Sequence, residues 1–350
     1  MRRWLREDRA EDVDAFRTRA RRHVLRGRGA AGVRGGWVTR LLAGYFAGRT
    51  APLGPVGAAP VIAVFFNFAP AMVARALPDV WERASPAQTL TARLAGATGA
   101  LARLTDGIPT SAVGAAADLL TEAVSRLDLA GRPLGAANAA LPVPRDPLAR
   151  LWQAATTLRE HRGDGHVGAL VAAGLSGCEP LVWRAARDLG REVLQPNRGW
   201  TDEEWNAATG RLVERGWLDG HHTPTATGVA AYERIEDVTD NAAATAWTGV
   251  DPERASALLA PIAHACRAAL PLANPIGLPA HGSDSTAARP DPGGTTRVTA
   301  SARAESRAIG GSGDLTPLPP SLSRCSQSCS PRFPQAETSS PVCGWWTTRR

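Results

Sequence analysis

Apolar residues recur at helical spacing through the middle of the chain. Val61, Val64, Phe65 and Phe68 behind Pro60 predict one helix. Leu90, Leu94, Leu101 and Leu104 behind Ser85-Pro86 predict a second, and Val113, Leu120, Val124 and Leu127, with Thr110 as cap, a third. Residues 129–147 hold four prolines and read as a long connection. Helices are expected over about 147–161, 164–175 and 178–189, the last with Ser176 and Glu179 at capping-box spacing. The clearest pattern begins at Thr201, which with Glu204 forms a second such pair. Trp205, Ala208 and Leu212 then share one face, Arg211 and Arg215 occupy the last turns, and Gly216 supplies a left-handed stop. Trp217-Leu218 reads as a short strand, Asp219-Gly220 as a tight turn with His221, His222 and Thr223 on its return, and Pro224 as its end. Thr225 or Thr227 then caps a helix carrying Val229, Tyr232, Ile235 and Val238, and Pro252 opens a last one with Leu258, Leu259, Ile262 and Cys266.

Helix, glycine stop, hairpin, helix is the order of the second half of a winged helix. The expected fold is therefore mainly α, with a helical N-terminal layer, a winged helix-turn-helix with a small β-wing, and disordered N- and C-terminal tails. The boundaries that follow are 1–42 for an Arg-rich tail, 43–146 for the helical domain, 147–245 for the winged-helix part, 246–282 for a closing helix and 283–350 for a low-complexity tail.

Charge changes the picture of the ends. All 40 basic residues are arginine, and the pI near 10.0 suggests nucleic acid. Yet residues 1–40 carry 12 arginines against 5 carboxylates, and residues 283–350 carry 8 against 5, leaving 20 arginines against 23 carboxylates for residues 41–282. The body is slightly acidic. The tails have the composition either of disordered arms or of a GC-rich gene translated out of frame. No signal core opens the chain, and the most apolar run, 61–76, is too short to cross a bilayer, so no membrane contact and a cytoplasmic location are expected. Five cysteines show neither zinc spacing nor a disulfide framework.

Candidate chemistry concentrates in His161-Arg162-Gly163-Asp164-Gly165-His166, expected at a corner between two helices. His161, Asp164 and His166 are of the type that supplies metal ligands or an acid/base pair, although no third firm metal ligand is visible, and Arg162 is of the type that binds a carboxylate or phosphate. The bland alternative makes them a helix cap and its neighbours. Tyr45 and Arg49 are expected to line a ligand pocket with Asn67, an amide among aromatics that needs a partner if buried. The glycines of 44–60 lack the lysine and spacing of a phosphate loop, and no hydrolase or metalloprotease motif is present. No metal and no cofactor are expected.

Several separate segments carry a family resemblance: Tyr45-Phe46-Ala47-Gly48-Arg49 with APLGPVGAAP, then FFNFAPAMVARALPDVW, LREHRGDGHVGALVAAGLSG, RGWTDEEWNAATGRLVERGWLD and YERIEDVTD. Together they resemble the SalK-like family of actinobacterial proteins over about residues 43–282, and the C-terminal half is similar to a MarR-type winged helix. The resemblance implies a recognition helix at 202–215, a wing at 217–224, a homodimer, a small-molecule ligand and double-stranded DNA as partner. On it, Arg211, Arg215, His221 and His222 are the candidate DNA contacts. Two departures weigh against a complete match: the segment before Tyr45 is replaced by Arg-rich sequence, and Val229 stands where MarR-like proteins place an arginine. Asp202, Glu203 and Glu204 also crowd the start of the recognition helix, where they repel phosphate. Two readings stay open: a ligand-responsive DNA-binding regulator, and a small-molecule binder or enzyme whose winged helix is a structural module, with its pocket near Arg49 and 161–166.

Overall fold

The computed structural model describes residues 43–187 and 190–269. In chain order come α1 over 43–50, α2 (Ala58–Val64), α3 (Pro70–Ala74), α4 (Val80–Arg83), α5 (Pro86–Leu104), α6 (Thr110–Ser125), α7 (Pro133–Ala139) and α8 (Pro147–Ala172). They are followed by α9 (Glu179–Ala185), α10 (Arg191–Arg198), α11 (Asp202–Glu214), α12 (Ala226–Ala243) and α13 (Pro252–Ala268). Short 3-10 turns lie at Ala51–Leu53 and Ala244–Trp247. The expected tails at 1–42 and 283–350, and the end of the closing segment, fall outside the described residues.

Several boundaries follow from the local signals. The capping box at α11 is complete, Thr201 Oγ1 accepting from the Glu204 amide at 3.2 Å while the Glu204 carboxylate accepts from the Thr201 amide at 2.9 Å. Gly216 ends that helix at φ 68°. Thr225, not Thr227, caps α12, accepting from Gly228 N at 3.0 Å.

Other expectations are corrected. α2 stops at Val64 with Phe65 as its C-cap, and the chain then turns through 66–68 to an extended Ala69 before Pro70, so Phe65 and Phe68 both lie outside the helix expected to carry them. The N-cap of α6 is Pro109, and Thr110 makes no capping bond. The proline-rich connection contains α7, opened by Pro133; only Leu134, Gly135 and Asn138 are buried in it, too few apolar positions to show a period. The stretch between residues 189 and 201 forms α10, where Leu194 alone is buried. The β-wing reduces to one isolated antiparallel bridge, Leu218 to Pro224. Proline cannot donate to a ladder, and Asp219 Oδ1 takes the amides of His221 and Thr223, each at 2.8 Å, satisfying the turn locally.

The largest correction concerns α8, in which two expected helices are one of 26 residues, about 39 Å long at 1.5 Å per residue. Its N-terminal half, with Leu151, Trp152, Ala155 and Leu158, packs into a core with α5, α6 and α13. Its C-terminal end, with Ala169 and Leu170, packs into a second core with Trp183, Trp205, Leu212, Trp217 and Ile235. A third core gathers Phe46, Phe65, Phe68, Met72, Val73 and Leu134 around α1 to α3. The polar residues 160–166 occupy the stretch of α8 between its two apolar ends, so this segment resembles a loop in sequence while remaining helix. Gly165 serves close approach rather than a turn: a Cβ there would lie 1.7 Å from Arg132 Nη1, which donates to His161 O at 3.1 Å.

Candidate functional site

On a continuous helix the residues of 160–166 must divide between faces. Glu160, His161 and Asp164 turn toward α1, α7 and the chain before it. Arg162 and His166 turn toward α12. The expected corner site is thus two groups of contacts, and all four candidates are engaged within the protein.

On the first face, Arg49 Nε and Nη2 donate to both oxygens of Glu160, at 3.0 and 2.7 Å, and Nη1 donates to the Tyr45 hydroxyl at 3.0 Å. The guanidinium lies 4.0 Å from the centroid of the Phe65 ring. The Arg49 and Glu160 side chains are 15% and 1% exposed. Burial alone would lower the arginine's pKa, but the Glu160 carboxylate and then Tyr45 outweigh it and raise it above the ordinary value. The sequence pointed to Tyr45 and Arg49 and missed Glu160, whose place opposite Arg49 shows only once α8 is known to be unbroken. Asn67, the third expected lining residue, is half-buried at the start of the turn into α3; its backbone carbonyl accepts from Trp200 Nε1 at 3.0 Å, and its Oδ1 is buried without a hydrogen-bond partner.

Asp164 accepts from the amide of Gly135 at 2.8 Å, so it caps the first turn of α7 from a neighbouring helix. His161 Nε2 lies 2.8 Å from Asp128 O. Burial raises the Asp164 carboxyl to about 6, with the Gly135 amide opposing and Glu160 adding to the rise. Burial lowers His161, and the Asp128 carbonyl partly offsets this. On the second face, Arg162 Nη2 reaches Glu236 and Asp240 at 3.0 and 2.9 Å, and His166 Nδ1 lies 3.0 Å from Thr239 Oγ1. His166 is lowered by burial, against the pull of Glu236.

These shifts have opposite consequences for stability. Asp164 titrates higher in the fold than its ordinary 3.8, so the folded state binds its proton first and this group stabilises as pH falls through 6. The two histidines titrate below 6.5 in the fold, so they cost stability as pH falls below that value. Asp164→Asn removes the first effect alone. Its unfolding free energy in urea should therefore fall more steeply than that of the wild type between pH 6.5 and about 4; parallel curves would contradict the assignment.

α11 presents the other candidate surface. Trp205, Ala208, Thr209 and Leu212 are buried, while Glu203, Asn206, Ala207, Gly210 and Glu214 form one exposed face. Asp202 is held by Gln195 and Arg191, which lower its pKa in that order. Arg191 also reaches Asn206 Oδ1 at 3.1 Å. Arg211 Nη2 donates to Ser176 Oγ at 3.1 Å, and its Nε lies 3.5 Å from Glu179 Oε1. Arg215 donates to the carbonyls of Ala173 and Gly174 at 3.1 and 2.7 Å. His221 and His222 are exposed at the turn, His222 at φ 62°. The α10–α11 junction touches the N-terminal helices, Ala69 N donating to Arg198 O at 2.9 Å.

Among the described residues no three His, Cys, Asp or Glu side chains are grouped as a metal site requires, and no helix is long and apolar enough to cross a membrane. Cys178 and Cys266 are buried free thiols, and burial pushes Cys178 up to about 12, far from a reactive thiolate.

Helices α9 to α11, the tight turn at 217–224 and α12 follow one another in the order of a helix-turn-helix module with a turn in place of its wing. Residues 15–273 match the helix-turn-helix family, and the chain belongs to it. The match begins inside the Arg-rich stretch. No curated protein and no solved structure matches the chain.

Proposed function

We propose that the protein is a DNA-binding transcription regulator in which α11 is the recognition helix and the turn at 217–224 a reduced wing. Family membership supports the class, and the single observation that carries the residue assignment is the uncovered face of α11. Its short side chains suit a groove: the Asn206 amide is of the type that pairs with adenine, the Glu203 carboxylate accepts from cytosine, and Ala207 and Gly210 leave room for the groove wall. Phosphate affinity must come from elsewhere, because residues 179–225 carry six arginines and eight carboxylates. Residues 1–40, with 12 arginines against 5 carboxylates, carry the largest net positive charge of the three regions. The SalK-like and MarR-like resemblance adds a homodimer and a small-molecule ligand to this reading. A mobility shift with the full chain and duplex DNA tests it: binding should weaken linearly in log-log form between about 50 and 200 mM salt. No shift at the lowest salt would remove the regulator.

One observation favours a second reading, a small-molecule binder or enzyme built around Arg49 and His161–His166: the arginines of α11 are already bonded within the protein. If ligands that stabilise the protein act equally on the His161→Ala, Asp164→Ala and His166→Ala variants, that reading fails.

A further inference from the structure

Arg211 and Arg215 were the natural candidates for phosphate contacts on α11, yet each points back into the fold. They lie four residues apart on one stripe of the helix and reach the same feature, the turn from the end of α8 into α9. Arg215 places two N–H groups on the carbonyls of Ala173 and Gly174. Those oxygens lie where α8 ends, at the negative pole of a 26-residue helix, and a guanidinium there supplies both hydrogen bonds and charge. Its Cζ also lies 5.9 Å from the centroid of the Trp217 ring. One turn earlier, Arg211 bonds Ser176 Oγ and lies beside Glu179, whose side chain is 3% exposed and whose Oε2 accepts from Ser176 N at 2.6 Å. The two arginines therefore clasp α11 to α8 and α9.

We propose that Arg211 and Arg215 are positioning residues for the recognition helix: they set the angle of α11 on the α8–α9 turn, and they do not contact nucleic acid. The proposal rests on the reading of α11 as the recognition helix, and it reassigns the two residues that reading would most readily spend on phosphate. Both side chains are exposed, Arg211 at 45%, but they lie on the flank of α11 beside the face at Glu203, Asn206, Ala207 and Gly210, and their donors are aimed at protein oxygens.

The full chain carrying Arg211→Gln, Arg215→Gln or the milder Arg215→Lys is compared with wild type in two measurements. The first is amide hydrogen exchange in the free protein. Loss of the clasp should accelerate exchange severalfold at the last turn of α8, where Ala173, Gly174 and Leu175 donate to Ala169, Val171 and Leu170. Arg215→Lys, keeping the charge but not the paired donors, should fall between. Unchanged exchange in both glutamine variants overturns the proposal whether or not the protein binds DNA. The second is the salt dependence of duplex binding. Positioning residues leave the slope of log K against log salt unchanged while affinity drops; a slope smaller by about one per arginine removed would mark phosphate contacts and overturn the proposal. If the wild type shows no binding, the regulator reading fails, and the exchange result alone decides the clasp.

Discussion

Glu160→Ala should lower the unfolding free energy by about 3–5 kcal/mol, the largest loss expected from any single substitution in α8. The carboxylate is almost fully buried and takes two charged hydrogen bonds from Arg49. Removing it leaves an arginine side chain that is 15% exposed, still bonded to the Tyr45 hydroxyl and stacked on Phe65, with the more distant Asp164 carboxyl as a further electrostatic partner. A buried pair of this kind is costly to break from one side, although forming it gains little over an apolar pair, because each charge has lost its water. The double variant Arg49→Met/Glu160→Met should thus recover most of the loss, and urea unfolding of the four proteins of the cycle measures the coupling. Additive losses in the two single variants would show that the ion pair does not link α1 to α8. The same substitution removes a carboxylate that helps raise the Asp164 pKa, so Asp164 should titrate closer to its ordinary range in Glu160→Ala.

Gly228→Ala is expected to have the next largest effect, a loss of about 1–3 kcal/mol from overpacking. Helix propensity favours the change by about 1 kcal/mol, and so does the unfolded state. Space decides against it. A Cβ on Gly228 would lie 2.4 Å from Trp217 O and 2.7 Å from both Trp217 Cα and Trp183 Cζ3. Two of these atoms are backbone and cannot rotate aside, and Trp183 is stacked on Tyr232 and packed edge-on to Trp217. α12 would have to move off the turn at 217–224. A Cβ on Gly210, in the exposed face of α11, would meet nothing within 4 Å. Gly210→Ala should therefore stabilise by up to about 1 kcal/mol, so thermal melts of the two variants should shift in opposite directions. Equal shifts would show that Gly228 is not a packing glycine.

Much of the C-terminal half of this fold was legible because its signals are local. Thr201 with Glu204, Gly216 and Thr225 act through neighbours within four residues, and each does what its spacing predicts. The helical pattern of α5 and α6 likewise survives, since each buries one stripe against one core. Arg49 bonds Tyr45, four residues earlier on one helix, a contact that helical spacing allows. The errors share a different cause. The glycines of His161–His166 predict a corner, but Gly165 makes room for Arg132, which arrives from the N-cap of α7. α7 was missed because its stabilising partner, Asp164, lies in another helix. The wing was expected to be a ladder, and the Asp219 side chain with Pro224 leaves a single bridge in its place.

The amino-acid sequence alone determines that this protein is mainly helical, that its basicity belongs to its ends, and that a capped helix followed by a glycine stop and a tight turn lies at 201–225. Those properties depend on side chains close together along the chain. Which groups Arg49, Glu160, Asp164, Arg211 and Arg215 bond was decided only by tertiary structure. A charged side chain is free to bond any partner within reach, and here each finds a partner in another element, so burial and distance, which sequence spacing does not encode, select its contacts.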